Sequence, residues 1–230
     1  MRFEPVLQRA TLLRRYKRFL ADVRLADGRE LTVHCPNPGA MTGCAQAGWE
    51  VALSHSPDPR RKLPYTLEMV HDGSVWIGVN TQRANAIVAE ALEQGRIAEL
   101  QGYTSLQREV RYGEKSRIDF LLTGPAGLTY LEVKSVTLNL DGVCAFPDAV
   151  TTRGRRHLEE LVQMKRAGHR AVLLFVVQRG DGQGFRPAHE IDPDYADTLQ
   201  ASRAQGVELL ICRARLDPGS WELADSGSWL

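Results

Sequence analysis

The stretch "RIDFLLTGPAGLTYLEVKSV", residues 117–136, decides the fold of the second half of the chain. Two apolar, alternating runs flank a turn-forming "TGPAG" segment, which predicts an antiparallel β-hairpin. If Leu122 pairs with Thr129, Asp119 lies opposite Glu132. Alternation then gives a charged face with Asp119, Tyr130, Glu132 and Lys134, and an apolar face with Ile118, Phe120, Leu122, Leu131 and Val133. The apolar face is predicted to be core.

The opposed acids need an explanation. Directly opposed side chains on a hairpin lie about 4.5–5.5 Å apart, and like charges at that distance are destabilising. A Mg²⁺ or Mn²⁺ ion between Asp119 and Glu132 removes the conflict, because these cations prefer hard oxygen ligands. Lys134 beside them is placed to orient or deprotonate a water, which would complete a site for phosphodiester hydrolysis. The alternative is a solvated face on which Lys134 merely balances the two acids.

Upstream of the hairpin, residues 1–80 are predicted to be all-β. Turn signals separate five candidate strands, at 19–25, 30–35, 49–54, 65–70 and 74–79. Five short strands favour a small closed barrel of the OB-fold type, which commonly binds oligonucleotides. Tyr16, Phe19 and Trp76 are then candidates for stacking on bases, although for Phe19 and Trp76 a place in the core is favoured.

From residue 81 the periodicity is that of an α/β domain. Apolar stripes and caps predict helices at 81–95, 153–167 and 192–206, the last with Asp192 as its N-cap. Strands are predicted near 106–112, 117–122, 129–136, 170–178 and 207–216. This order indicates a mixed sheet covered by helices. The chain therefore divides into a barrel module, 1–80, and an α/β domain, 81–230.

Composition limits the classes of protein that remain. The 230 residues are 43% hydrophobic and 25% charged, as in soluble globular proteins. No apolar run approaches the roughly 20 residues of a membrane span, and no secretory signal precedes the first strand. Four scattered cysteines without a C-x-x-C pair argue against structural zinc and favour the reducing cytoplasm.

Positive charge is clustered although the net charge is only +1. The stretches "RRYKRF" and "TTRGRRH" are the basic segments that predict contacts with DNA phosphates; solvated surface charge is the alternative for each. The "PNPGAM" loop at 36–41 offers backbone amides for a phosphate, or is simply a tight turn, and Thr152 is a candidate N-cap whose helix terminus would attract phosphate. The predicted DNA-binding residues are Arg14, Arg15, Lys17, Arg18, Asn37, Arg153, Arg155 and His157, the last of which is more simply a helix-face residue.

An Asp on one strand and Glu-x-Lys on the next, after a helix carrying Glu90, resembles the core of the PD-(D/E)XK nuclease superfamily. Ile118 stands where that pattern has proline. Over almost the whole chain, "PNPGAM", "NTQRANAIVAEAL", "SRIDF", "LEVKSVTL" and "FPDAVTTRGRRHLEEL" resemble the sugar fermentation stimulation protein A family.

The resemblance implies an N-terminal OB-fold followed by a PD-(D/E)XK nuclease-like domain, DNA binding, and a link to regulation of sugar (maltose) metabolism. It implies that Asp119 and Glu132 are metal ligands, with the Val133 carbonyl as a further candidate. Lys134 would position the water or meet the scissile phosphate, and Glu90 would hold a water or a second metal unless it is only an exposed helix acid.

Three functions remain open. The first is a metal-dependent DNA nuclease, and the second is a non-catalytic DNA-binding transcriptional regulator that keeps the nuclease fold. The third is a sugar or small-molecule enzyme using its acids for acid–base chemistry; it is disfavoured because Lys134 and the basic stretches suit phosphates better, and because there is no P-loop, dinucleotide fingerprint or nucleophile elbow. DNA is the expected partner and no membrane is expected; the oligomeric state stays open, with a homodimer as one option.

Overall fold

A computed structural model describes residues 1–113 and 116–226. The first part is a sheet of β1 (Gln8–Tyr16), β2 (Leu20–Leu25), β3 (Glu30–His34), β4 (Glu50–His55), β5 (Tyr65–His71) and β6 (Trp76–Gly78). The strand order is β3-β2-β1-β4-β5-β6, and a pairing of His34 with Thr66 joins β3 to β5. Strands β1–β5 therefore form a closed five-stranded barrel, which confirms the predicted architecture.

The strands of that barrel differ from the predicted set in one respect. The barrel begins with β1, which was not predicted, whereas the expected strand at 74–79 is the short β6 outside the closed ring. The register of β1 against β2 shifts between Leu12 and Arg14. Such a bulge breaks the two-residue alternation by which a strand is detected in sequence.

The second part contains three α-helices and two further sheets in the described residues. Its helices are α1 (Gln82–Glu93), α2 (Thr152–Arg166) and α3 (Pro193–Ala204), with a 3₁₀ turn at Ala98–Leu100. Its strands are β7 (Ser105–Tyr112), β8 (Ser116–Gly124), β9 (Gly127–Val136), β10 (Leu138–Leu140), β11 (Val143–Phe146), β12 (Arg170–Val177), β13 (Phe185–Pro187), β14 (Glu208–Asp217) and β15 (Ser220–Ser226). The main sheet has the order β15-β14-β12-β9-β8-β7, and β10, β11 and β13 form a small second sheet. Because β9, β12 and β14 are parallel and the others antiparallel, the main sheet is mixed, as predicted; β14, however, is followed by β15 rather than being the last strand.

The hairpin of β8 and β9 has the predicted register. Leu122 pairs with Thr129, and the ladder extends to Phe120 and Leu131. The division into faces is wrong at Ile118, which packs with the cluster next to α2, while Phe120 packs with the cluster next to α1. Both faces of the sheet are covered, so the charged side chains of the hairpin are not on an open, solvated face.

The helices follow their sequence signals closely. The predicted stripe of α1 is buried, and the carboxylate of Asp192 caps α3 by accepting from the Tyr195 amide. The N-cap of α2 is Thr151, whose hydroxyl accepts from the Gly154 amide, and the prediction of Thr152 was wrong by one residue. No helix in the described ranges is long and apolar enough to cross a membrane.

One core cluster crosses the predicted boundary near residue 80. Leu7, Ala52 and Met69 from the barrel part pack with α1 and with Trp221 of β15. The segment between β6 and α1 is the chain connection at this point, and the two parts also share buried apolar surface. The division at residue 80 stays a prediction.

Candidate active site

A pocket of about 330 Å³ opens where the barrel meets the α/β part. Elements far apart in sequence line it: the loop after β3, the start of α1, the hairpin strands, and the segment that leads into α2. Its polar lining residues include Asn37, Asn85, Asp119, Glu132, Lys134, Asp148, Arg153 and His157. The structure therefore brings Asp119, Glu132 and Lys134 together with two side chains of α2.

Asp119 is held where the hairpin ladder stops. Asp119 lies one position beyond Phe120, which forms the last backbone pair with Leu131. Its Oδ2 accepts from the Val133 amide at 2.7 Å, and its Oδ1 accepts from the Asn85 side chain at 2.7 Å. Burial and the negative charge of Glu132 raise the pKa of Asp119 to about 6, against the opposing effects of the Val133 amide, Lys134 and Asn85. The repulsion predicted from the opposed acids is thus present in the site.

Glu132 is more deeply buried, with 3% of its side chain exposed. Its Oε1 accepts from Lys134 Nζ at 2.6 Å and also bonds His157 Nδ1. Burial by itself raises the pKa of Glu132, but the Lys134 charge and the His157 hydrogen bond outweigh it and hold this pKa below its ordinary value. Glu132 therefore stays ionised to lower pH than Asp119 does.

The tautomer of His157 follows from its contacts: Glu132 Oε1 and Lys134 Nζ lie beside Nδ1, the latter at 3.3 Å, and Arg153 Nε lies beside Nε2. Arg153 Nε donates to His157 Nε2 at 3.2 Å, and a guanidinium can only donate. Nε2 is therefore the unprotonated nitrogen, and Nδ1 carries the hydrogen that it donates to Glu132 Oε1. This arrangement orients the Glu132 carboxylate from α2, a role that the sequence did not predict for His157.

All polar contacts of Glu132 converge on one oxygen. Within the described residues, the buried Oε2 atom has no hydrogen-bond partner. A buried carboxylate oxygen without a partner is costly unless water or a cation binds it. Asp119 and Glu132 thus offer oxygens to a hard cation. The described residues contain no group of three or more His, Cys, Asp or Glu side chains arranged to hold a metal, so water or substrate oxygens would complete the shell, as is usual for Mg²⁺.

The loop after β3 forms one wall of the pocket and is fixed by both parts of the chain. From the α/β part, Asp148 Oδ2 accepts from the Met41 amide at 2.9 Å. From the barrel, Arg15 donates to the carbonyls of Asn37 and Gly39 at 2.9 and 2.8 Å. A Cβ on Gly39 would lie 2.7 Å from Asp148 Oδ2, so only glycine fits without a shift. These contacts hold the loop, and with it this wall of the pocket, in one conformation before any ligand binds.

Several predicted residues have structural partners instead of an open position. The side chain of Asn37 is buried, donates to the Val79 carbonyl at 3.0 Å and accepts from the Gly39 amide, which matches the tight-turn alternative. Arg14 pairs with Asp22 at 2.7 Å, and Arg155 pairs with Asp194. The predicted DNA contacts with exposed side chains are Lys17, Arg18 and Arg153, together with Arg14 despite its ion pair.

Glu90 is not brought to the pocket. Its carboxylate pairs with the N-terminal amine of Met1 at 2.6 Å and lies 3.8 Å from Arg96. The polar side chain that α1 contributes is Asn85, five residues earlier, because α1 directs its N-terminal end at the hairpin. The interpretation of Glu90 as the helix acid of the site is therefore corrected.

Sequence reasoning missed Asn85, Asp148 and the orienting role of His157. Asn85 and Asp148 both lie inside motifs that were singled out, "NTQRANAIVAEAL" and "FPDAVTTRG". The available signals were a polar residue near the start of an apolar helix, Asn85, and an acid directly after Pro147, Asp148. Neither signal states which distant strand the side chain will meet.

These features define a class: an OB-type barrel joined to a mixed-sheet α/β domain, with a paired-carboxylate pocket at the junction. Two family models match the chain, the SfsA N-terminal OB domain over residues 13–79 and the sugar fermentation stimulation protein RE domain over residues 82–220. The chain belongs to the sugar fermentation stimulation protein family.

Similar proteins agree with this assignment. Sugar fermentation stimulation protein homologs from Magnetococcus marinus and Thioalkalivibrio sulfidiphilus are 56% and 54% identical, over 96% and 95% of this chain and 95% and 93% of their own lengths. The solved structure of Pyrococcus furiosus SfsA in complex with Ca²⁺ is 26% identical and has a TM-score of 0.90, covering 98% of this chain and 96% of that one. The whole fold is therefore shared with that protein.

Proposed function

We propose that this protein binds DNA and hydrolyses a phosphodiester in the pocket, with Mg²⁺ or Mn²⁺ held between Asp119 and Glu132. The observation that carries the proposal is the partnerless Oε2 of buried Glu132, in a pocket shared with Asp119 and Lys134. The pKa of Asp119, raised to about 6 by burial and by Glu132, supports a cation there, because bound positive charge would relieve both effects. Pyrococcus furiosus SfsA, solved in complex with Ca²⁺, also supports a divalent cation.

Each side chain has a distinct task in this proposal. Asp119 and Glu132 supply the cation's ligands, and His157 holds Glu132 so that Oε2 faces away from its hydrogen bonds. When bound, the cation polarises the phosphate and lowers the pKa of a bound water. Lys134 is 13% exposed and its ammonium group lies beside Glu132. In this proposal it holds the attacking water or a phosphate oxygen next to the carboxylates.

DNA is the proposed partner because exposed cations lie in the pocket lining and in the turn bonded to its loop wall. Arg153 lines the pocket from the first turn of α2, and Lys17 and Arg18 lie in the turn that contacts its loop wall through Pro38. Contacts of this kind neutralise phosphates and release counterions, so binding should weaken steeply as salt rises. DNA binding would also give a protein of this family a route to regulating sugar metabolism.

The test is a cleavage panel of single-stranded, duplex and branched DNA with Mg²⁺ or Mn²⁺, using Glu132→Ala protein purified identically. We expect cleavage by the wild type that needs the added cation and is lost in the variant. Equal cleavage by both proteins would identify a contaminant and remove the nuclease proposal. Salt-dependent binding without cleavage under any condition would leave a DNA-binding regulator as the function.

A further inference from the structure

The turn between β1 and β2 presents an aromatic ring to solvent. Phe19 was expected in the core, but 45% of it is exposed. Only two other large hydrophobic side chains in the described ranges are exposed to this degree, Val6 and Val150, and neither is aromatic. Phe19 directly follows Lys17 and Arg18, whose side chains are also exposed, so the ring stands in a positively charged surface.

This turn is not a loose loop. Lys17 and Arg18 both have left-handed backbone conformations, with φ of 48° and 64°, which residues other than glycine seldom adopt. Arg15 fixes the turn by donating to the Arg18 carbonyl at 2.9 Å, and the Phe19 carbonyl accepts from the Cys35 amide at 2.8 Å. The ring is therefore displayed from a restrained position.

The same turn is connected to the wall of the pocket. Arg18 donates to the Pro38 carbonyl at 3.0 Å, and Pro38 lines the pocket. Arg15 binds the Arg18 carbonyl of the turn and the Asn37 carbonyl of the wall through one nitrogen. The turn that displays Phe19 is therefore bonded directly to the loop that walls the pocket.

We propose that Phe19 is a stacking platform for an unpaired base, and that the DNA entering the pocket is single-stranded at that point. The inference rests on the proposed function and specifies its substrate class. In a duplex the base faces are covered by neighbouring bases, and only their edges are accessible from the grooves. The face of an unpaired base, whichever base it is, can stack on an aromatic ring.

The flanking cations fit the same ligand. Lys17 and Arg18 are exposed and directly precede the ring in the chain, so their charges are available to the backbone phosphates of a nucleotide stacked on Phe19. The Arg18 guanidinium carbon already lies 5.9 Å from the Phe19 ring centroid, so cation and ring form one unit. A partner that was only apolar would gain nothing from this charge.

The test measures binding of a labelled single-stranded oligonucleotide, and of the duplex of the same sequence, by fluorescence anisotropy in EDTA. We expect Phe19→Ala to weaken single-strand binding roughly 5- to 100-fold and duplex binding little. Phe19→Tyr should restore it because the ring remains. Val6→Ala removes an exposed apolar side chain elsewhere and should change neither affinity.

The salt dependence separates stacking from charge. Phe19→Ala should leave the slope of log affinity against log salt unchanged. Lys17→Ala should reduce the magnitude of this slope by about one, the contribution of one phosphate contact. Unchanged single-strand affinity in Phe19→Ala, or an equal loss for both DNA forms, would overturn the stacking platform while leaving DNA binding intact. Absence of binding by the wild type would instead reject the proposed function, and this inference with it. Thermal unfolding midpoints should be measured for each variant to check that it is folded.

Discussion

Glu68 of the barrel and Glu132 of the hairpin are both buried, with 1% and 3% of their side chains exposed, and both pair with a cation. The contacts of Glu68 are shared between its oxygens: Oε1 accepts from Ser54 and Arg83, and Oε2 accepts from Asn80 and Arg83. At Glu132 every contact falls on Oε1. Glu68 therefore has both oxygens bonded within the fold, whereas Glu132 has one oxygen available to a ligand.

The largest expected effect is on catalysis at Glu132. Glu132→Gln keeps the side-chain volume and an acceptor for His157 and Lys134 but removes the negative oxygen offered to the cation. We expect cation-dependent cleavage to fall by roughly three orders of magnitude, since metal stabilisation of the transition state amounts to several kcal/mol. Initial rates at saturating Mn²⁺ measure it, and a loss below tenfold would show that Glu132 is not a ligand.

Glu68→Gln should instead lower the stability of the fold and leave cleavage unchanged. The substitution leaves the guanidinium of Arg83, 28% exposed, without its bidentate partner. We expect the free energy of unfolding to fall by about 3 kcal/mol, at the lower end of values for buried pairs, while cleavage per folded molecule is unchanged. Urea titration measures the loss. Glu30→Gln, in an exposed pair with Arg24, is the matched control and should cost less than about 1 kcal/mol.

The raised pKa of Asp119 gives the stability of the fold a pH dependence. In EDTA, the folded state holds the Asp119 proton up to a pKa of about 6, whereas the unfolded chain releases it near 3.8. Stability from this group is therefore full below pH 3.8 and is lost as pH rises to about 6, by roughly 1.4 kcal/mol per pKa unit. Across this pH window, the unfolding free energy measured in urea should decline less steeply in Asp119→Asn than in the wild type. Identical pH profiles for the two proteins would contradict the raised pKa of Asp119.

The smallest expected effect concerns the wall beside Glu132. Gly39→Ala places a methyl group 2.7 Å from an Asp148 oxygen, so the loop or the acid must move. We expect a loss of about 1 kcal/mol in unfolding free energy, together with slower cleavage because the pocket changes shape. Gly184→Ala has open space and is the control. Equal behaviour of the two variants would mean that the wall is not preorganised.

Much of the architecture follows from local signals in the sequence. The hairpin register depended on the turn at 124–127 and was confirmed, as was the Asp192 cap. These features are decided by neighbouring residues. The bulge in β1 is decided by how the barrel closes, so alternation alone did not detect that strand.

The site was predictable only in part, for the same reason. Asp119, Glu132 and Lys134 lie on one hairpin, so strand periodicity brought them together correctly. Asn85 and Asp148 reach the pocket only through tertiary packing, and Glu90 is drawn away by the amine of Met1. Exposure of Phe19 likewise depends on a backbone turn that no periodicity encodes.

The core that crosses residue 80 has a consequence for how such a chain can be altered by recombination. Gly78 lies so close to Trp221 that a Cβ would be 2.1 Å from its ring, and Trp221 packs in the same core as Leu7. The first and last segments of the chain are therefore fitted to each other. An exchange of either half between distant relatives would pair surfaces that are not fitted to each other, so we expect such hybrids to be less stable than either parent.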